Sequence, residues 1–186
     1  MIFETIITSI NAAGEPHVAP FGIQYIGEHI IISPYKPSIT LDNILASKVA
    51  VMNLSDDVRI FAGALTNRTP WQLLPTNMVK GFRLANCLTH VELNLLEIHD
   101  NTTRPQLIMQ KVAQFNHQPF AGFNRAQTAV IELAVLVSRL HLLPYEKIQA
   151  ELQYLQIAIN KTAGANELAA WGWLIEKIDA YYAASL

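Results

Sequence analysis

The sequence predicts an α+β fold that is mainly β: an antiparallel sheet of six or so short strands, enough to close a barrel, followed by a C-terminal segment of three helices. Three observations carry this expectation. β-Branched runs punctuated by Gly, Pro and Asn recur from Phe3 to Asn116, the mark of short strands joined by turns. After Asn124 the pattern changes to long apolar segments of helical period. A length of 186 residues also suffices for one domain, or one domain with a helical appendage, to bury a core without disulfides. The expected division is a barrel over 1–120 and a helical subdomain over 121–186, packed on the barrel or on a dimer partner.

The first strand runs from Phe3 to Ile10, rich in Ile and Thr, and "NAAGEP" supplies Asn, Gly and Pro where a hairpin must reverse. The second covers about His17 to Tyr25. "IGE" then leads into a third run, "HIIIS", with Gly27 suited to the positive φ of a tight turn. Pro34 and Pro37 end that strand, because proline lacks the ladder donor. "TLDNILAS" spaces Leu41, Ile44 and Leu45 for a short helix beginning near Thr40. "KVAVMNL" returns to strand alternation, and in "SDDVRIFAGAL" Ser55 or Asp56 is the expected N-cap of a brief helix. A loop rich in Thr, Asn and Pro runs on through Pro75. "NCLTHVELNLLEIHD" and "PQLIMQKVAQFN" are two further strands. Three helical segments follow, "RAQTAVIELAVLVSRLHLLP", "YEKIQAELQYLQIAINKTAG" and "ANELAAWGWLIEKIDAYYAASL", separated at Pro144 and Gly164.

Composition narrows the function. The chain is 51% hydrophobic and only 15% charged, apolar for a soluble monomer, so part of the excess is expected to cover a subunit interface in a homodimer. In "KVAVMNL" the alternate residues Val49, Val51 and Asn53 leave one face with little reason to meet water unless another subunit covers it. The 13 Lys and Arg are scattered without a basic block, which argues against nucleic acid. The most apolar segment is interrupted by Glu132 and Arg139 and is too short and polar to span a bilayer. "MIFETIITSI" lacks the features of a signal peptide and Cys87 is the single cysteine, so a cytoplasmic protein is the expectation.

The densest polar chemistry lies in "SPYKPSITLDN", where Tyr35, Lys36, Ser38, Thr40, Asp42 and Asn43 stand together between two apolar runs. A helix start offers unpaired N–H groups and a partial positive charge, so a phosphate placed there meets several donors at once. Ser38 and Thr40 add hydroxyls, Lys36 adds a flexible cation, and Asn43 lies one turn beyond Thr40 on the same side. Local chemistry leaves a second reading open. Thr40 can cap the helix, Asn43 can bond back as an imperfect capping box, and Lys36 can simply be solvated.

The order of strand, "AAGEP", "APFGIQ", strand, "YKPSITLDNIL" and "VAVMNLSDD" resembles the flavin-reductase-like FMN-binding split barrel, and more narrowly the DUF447 family of that superfamily. "GFNRAQTAVIELAVLVSRL" and the "KTAG" before the last helix are also similar to that family, so the resemblance covers nearly the whole chain. It implies a split β-barrel with FMN as cofactor, the phosphate held by Ser38, Thr40 and Asn43 with Lys36 nearby. It implies a flavin ring along the second strand at His17, Ala19, Pro20, Phe21 and Gly22, near a dimer interface. Gly22 would let a flat ring approach the backbone, and Phe21 or Tyr35 could shield an edge. The function implied is a flavin-dependent oxidoreductase with a nicotinamide or other donor and an unidentified acceptor. Two alternatives stay open: a pterin-linked step of one-carbon metabolism in the same pocket, or a non-enzymatic flavin-binding or interaction dimer. No catalytic residue is assigned.

Other chemistry is thin at the level of spacing. The six histidines show no HxH or HExxH pattern, so no metal site is expected. No serine sits in a GxSxG elbow and Cys87 has no activating partner in sequence. Arg125, Glu132 and Arg139 fall seven apart on the first C-terminal helix, either a solvated face or a polar lining toward cofactor or partner.

Overall fold

The structure is a computed structural model that describes residues 1–69 and 71–184. The two residues that end the last predicted helix, and Pro70 in the predicted loop, lie outside the described residues. The chain divides into two compact units, Met1–Ser55 with Trp71–Phe120, and Asp56–Pro70 with Ala121–Leu186.

The first unit holds β1 (Ile2–Ile10), β2 (Pro16–Ile26), β3 (His29–Ile32), α1 (Ile39–Ser47), β4 (Val49–Leu54), β5 (Leu73–Pro75), β6 (Phe82–Leu84), β7 (Thr89–His99) and β8 (Gln106–Asn116), while α2 (Arg59–Thr66) belongs to the second. Six strands close a barrel in the order β1-β2-β3-β8-β7-β4, with every pairing antiparallel. The β2–β3 turn depends on Gly27 at φ 58, a conformation that costs a side-chain-bearing residue energy. Alternation drives the closure: Ile7, Ile23, Ile30, Ile32, Met52, Val91, Leu93, Leu107 and Met109 meet inside, and α1 adds Leu41 and Ile44 to the same core. Each such side chain removed from water contributes roughly 1.5–3 kcal/mol.

Several local expectations are corrected. The N-cap of α1 is Ser38, whose Oγ accepts the Leu41 N–H at 3.2 Å, so Thr40 lies inside the helix. The N-cap of α2 is Val58 rather than Ser55 or Asp56, without a side-chain cap bond. There Asp57 does the local work: its Oδ1 accepts the Arg59 N–H at 3.1 Å and its carboxylate grips the same residue's guanidinium at 2.6 Å.

The predicted loop through Pro75 instead enters a two-stranded ribbon, β5 with β6. This excursion covers the outer face of β4, so the expectation that a second subunit must cover Val51 and Asn53 fails: both are buried within the chain. Asn53 is the tether. Its Oδ1 accepts the Leu84 N–H at 2.8 Å, and its Nδ2 donates to Thr8 Oγ1 at 3.0 Å.

The second unit consists of α2, α3 (Arg125–Val137), α4 (Tyr145–Thr162) and α5 (Ala165–Ala183). Its core draws on Phe61, Val130, Leu133, Ile148, Ile159, Trp171, Leu174 and Ile178, all buried. Two short motifs of the sequence meet here. Asn124 of "FNRA" caps α3 by accepting the Ala126 N–H at 2.8 Å, and its Nδ2 donates to the Thr162 carbonyl of "KTAG" at 3.0 Å. Arg125, Glu132 and Arg139 are all exposed, the solvated-face reading. No helix among the described residues is long and apolar enough to cross a membrane.

Candidate functional site

Strand alternation sorts the second-strand residues by direction. Phe21 packs against the barrel core, so Gly22 faces outward. There a Cβ would stand 2.8 Å from Ile2 Cγ2 and 3.5 Å from Glu4 Oε1, so only glycine lets the neighbouring side chains lie across this backbone. His17, Ala19 and Pro20 share the strand and are half-buried. Burial pushes the His17 imidazole below its ordinary value.

A cleft of about 100 Å³ opens beside Gly22, lined by Ile2, Gln24, Ile31, Ser33, Arg104 and Gln106. Arg104 was not legible as a site residue, since "NTTRPQ" reads only as a turn before a strand. Folding places its Nε 3.0 Å from the Ser33 carbonyl and its guanidinium carbon 4.7 Å from the centre of the Tyr35 ring. That stacking is a cation–π contact. Tyr35 is exposed, so it holds Arg104 at the surface instead of entering the core.

Lys36 follows, its Nζ 3.0 Å from Asp100 Oδ1. The Lys36 ammonium, with the Asn101 N–H, holds the Asp100 carboxyl below its usual value. The pair is solvent-exposed, and such pairs are easily exchanged for a stronger anion. Lys36 therefore stands just before Ser38, which caps α1 where the first-turn N–H groups find no helical carbonyl.

Thr40 and Asn43 point elsewhere. Both are buried, and Asn43 Nδ2 donates to Ser9 Oγ of β1 at 3.1 Å. The structure thus leaves Tyr35 and Lys36 exposed and Ser38 half-buried and turns Thr40 and Asn43 inward, where Asn43 fixes α1 against β1. A larger cavity of about 340 Å³ lies apart, framed by Tyr25, Gly27, His29, Lys111 and Gln114. Its charged residues, Glu28 and Lys111, are of opposite sign.

A second polar cluster occupies the outer face of β7 beneath the β5–β6 excursion. Glu92 is fully buried and its carboxylate accepts the N–H groups of Asn77, Met78 and Val79 at 2.8, 2.7 and 2.7 Å. Burial alone would push this carboxyl up, but the three amides and His90 outweigh it and hold it below the ordinary carboxylate value. His90 Nε2 lies 3.2 Å from Glu92 and its Nδ1 lies 2.8 Å from His117 Nε2. Cys87 is buried nearby, and burial pushes its thiol up while Arg83 pulls it down.

The closed six-stranded antiparallel barrel has the split-barrel fold seen in flavin-reductase-like proteins. The chain belongs to the DUF447 family: residues 3–117 match the domain described as protein of unknown function (DUF447) N-terminal domain, and residues 124–176 match protein of unknown function (DUF447). An FMN-bound protein of that family from Methanosarcina mazei shares 21% identity at TM-score 0.80, over 95% of this chain and 94% of that one. The barrel also resembles 2-nitrobenzoate 2-nitroreductase from Pseudomonas fluorescens, at 22% identity and TM-score 0.55 over 61% of this chain and 64% of that one. A flavoredoxin from Methanosarcina acetivorans matches at 10% identity and TM-score 0.52, over 62% and 69% of the two chains. No curated protein matches the chain.

Proposed function

We propose that this chain binds FMN on the outer face of the barrel beside Gly22 and works as a flavin-dependent oxidoreductase on a small-molecule donor such as a nicotinamide. The observation that carries this reading is Arg104, stacked on Tyr35 and lining the cleft beside Gly22, with Lys36 and the Ser38-capped start of α1 following Tyr35 in the chain. The FMN-bound family member from Methanosarcina mazei supports it.

The residues present fit the group. A terminal phosphate is dianionic, and two cations, the Ser38 hydroxyl and the first-turn amides of α1 supply charge and donors together. Asn43 serves from inside by holding α1 against β1. The flavin ring is placed along β2 against the Ile2 side chain, which lies across the Gly22 backbone and lines the cleft. Bound FMN supplies hydride or single-electron transfer; the protein supplies binding, orientation and exclusion of water.

Protein purified without added cofactor is expected to be yellow, and heat is expected to release FMN and not FAD, because the cradle suits one terminal phosphate. Absorbance and chromatography of the released cofactor check this. A colourless chain that also takes up no added FMN would end the proposal.

A further inference from the structure

We infer that Cys87, His90 and His117 form a binding site for a thiophilic divalent metal ion of the zinc type, on the β7 side of the barrel. No motif in the sequence announces it, because the third ligand lies on the far side of β8. In the fold, the Cys87 Sγ and the two imidazole nitrogens all lie within 4.8 Å of one another. Thiolate and imidazole both ligate zinc, and three protein ligands leave a fourth position for water or substrate.

Two features distinguish this cluster from a chance meeting of side chains. First, the tautomer is set. Glu92, locked by three backbone amides, accepts from His90 Nε2, which leaves Nδ1 as a lone pair aimed at His117. A carboxylate behind a ligating imidazole is the usual support of a metal-bound histidine. Second, the spacing is right. The two ring nitrogens stand 2.8 Å apart with one proton between them. A tetrahedral zinc with bonds near 2.0–2.1 Å separates two nitrogens by about 3.3 Å, so replacing the proton with the ion needs an opening of only about 0.5 Å. The His90 ring is pinned between Phe115, stacked at 5.0 Å, and Glu92. The His117 side chain is exposed and supplies the movement.

The full-length protein, treated with chelator and dialysed, is titrated with zinc alone and read by elemental mass spectrometry, and with cobalt alone read by difference absorbance. The expected result is one ion per chain and a thiolate-to-cobalt charge-transfer band that zinc abolishes. Cys87→Ala removes the band. His117→Ala, at an exposed position, leaves circular dichroism and FMN content unchanged and removes stoichiometric binding. Glu92→Gln weakens binding roughly 10- to 100-fold. No band in the parent protein, or zinc uptake unaffected by His117→Ala in folded protein, would show that the cluster is only a hydrogen-bonded chain and overturn the site.

Discussion

Arg104 is the residue on which the flavin reading turns most sharply. Its guanidinium is oriented by the Ser33 carbonyl and by the Tyr35 ring, so little side-chain entropy is lost when it meets an anion. Arg104→Ala is expected to weaken FMN by roughly 1–3 kcal/mol, the scale of a lost charge-assisted hydrogen bond, with the melting temperature unchanged. Isothermal titration beside a thermal melt separates the two effects. Asn43 should behave in the opposite way. Its side chain is buried on Ser9, so substitution there moves stability first and cofactor affinity only through α1.

At the scale of the element, the caps explain why "FNRA" and "KTAG" go together. Asn124 accepts from the first turn of α3 and donates to the last carbonyl of α4, while Thr162 Oγ1 accepts the Ala126 N–H at 3.1 Å. One side chain thus closes two helix ends that would otherwise leave polar groups unpaired. Asn124→Ala is expected to cost about 1–2 kcal/mol of stability, as for other caps, measured by urea denaturation. If the loss stays within error, the cap is replaceable by water and the motif needs another explanation. The Asn53 tether does the same for the β5–β6 excursion, and it is why the outer face of β4 is dry.

For the whole molecule, the homodimer expected from composition needs a new surface, since β4 no longer supplies one. Ile2, Phe3, Tyr25 and Ile26 stand 40–60% exposed at one end of the β1–β2 pair, and Ile2 also lines the cleft. Phe3 and Tyr25 already pack edge to face at 5.5 Å. A two-fold dimer that buries this patch once on each chain stops growing there. Light scattering of the parent protein at micromolar concentration is expected to give twice the chain mass, and Phe3→Asp with Ile26→Asp the mass of one chain. A parent of single-chain mass that carries FMN would show that the cleft is complete in one copy.

The sequence by itself determined the six barrel strands, the two short helices after β3 and β4, and the three C-terminal helices, though not the β5–β6 ribbon. Period-two runs such as "HIIIS" and period-3.6 runs such as "RAQTAVIELAV" encode which face of each element is apolar, and that face dictates burial. It also carried the family resemblance. What local pattern does not encode is which polar side chain meets which across the sheet. Val51, Asn53, His90 and Glu92 alternate with core residues as solvent-facing positions would, yet the β5–β6 excursion folds over them through pairings some 15 to 31 residues away in the chain. For the same reason only the tertiary structure turned Asn43 inward, brought Arg104 to Gly22, grouped α2 with the C-terminal helices and set Cys87, His90 and His117 around one point. Such contacts depend on where the backbone closes the barrel, and no short window of residues contains both partners.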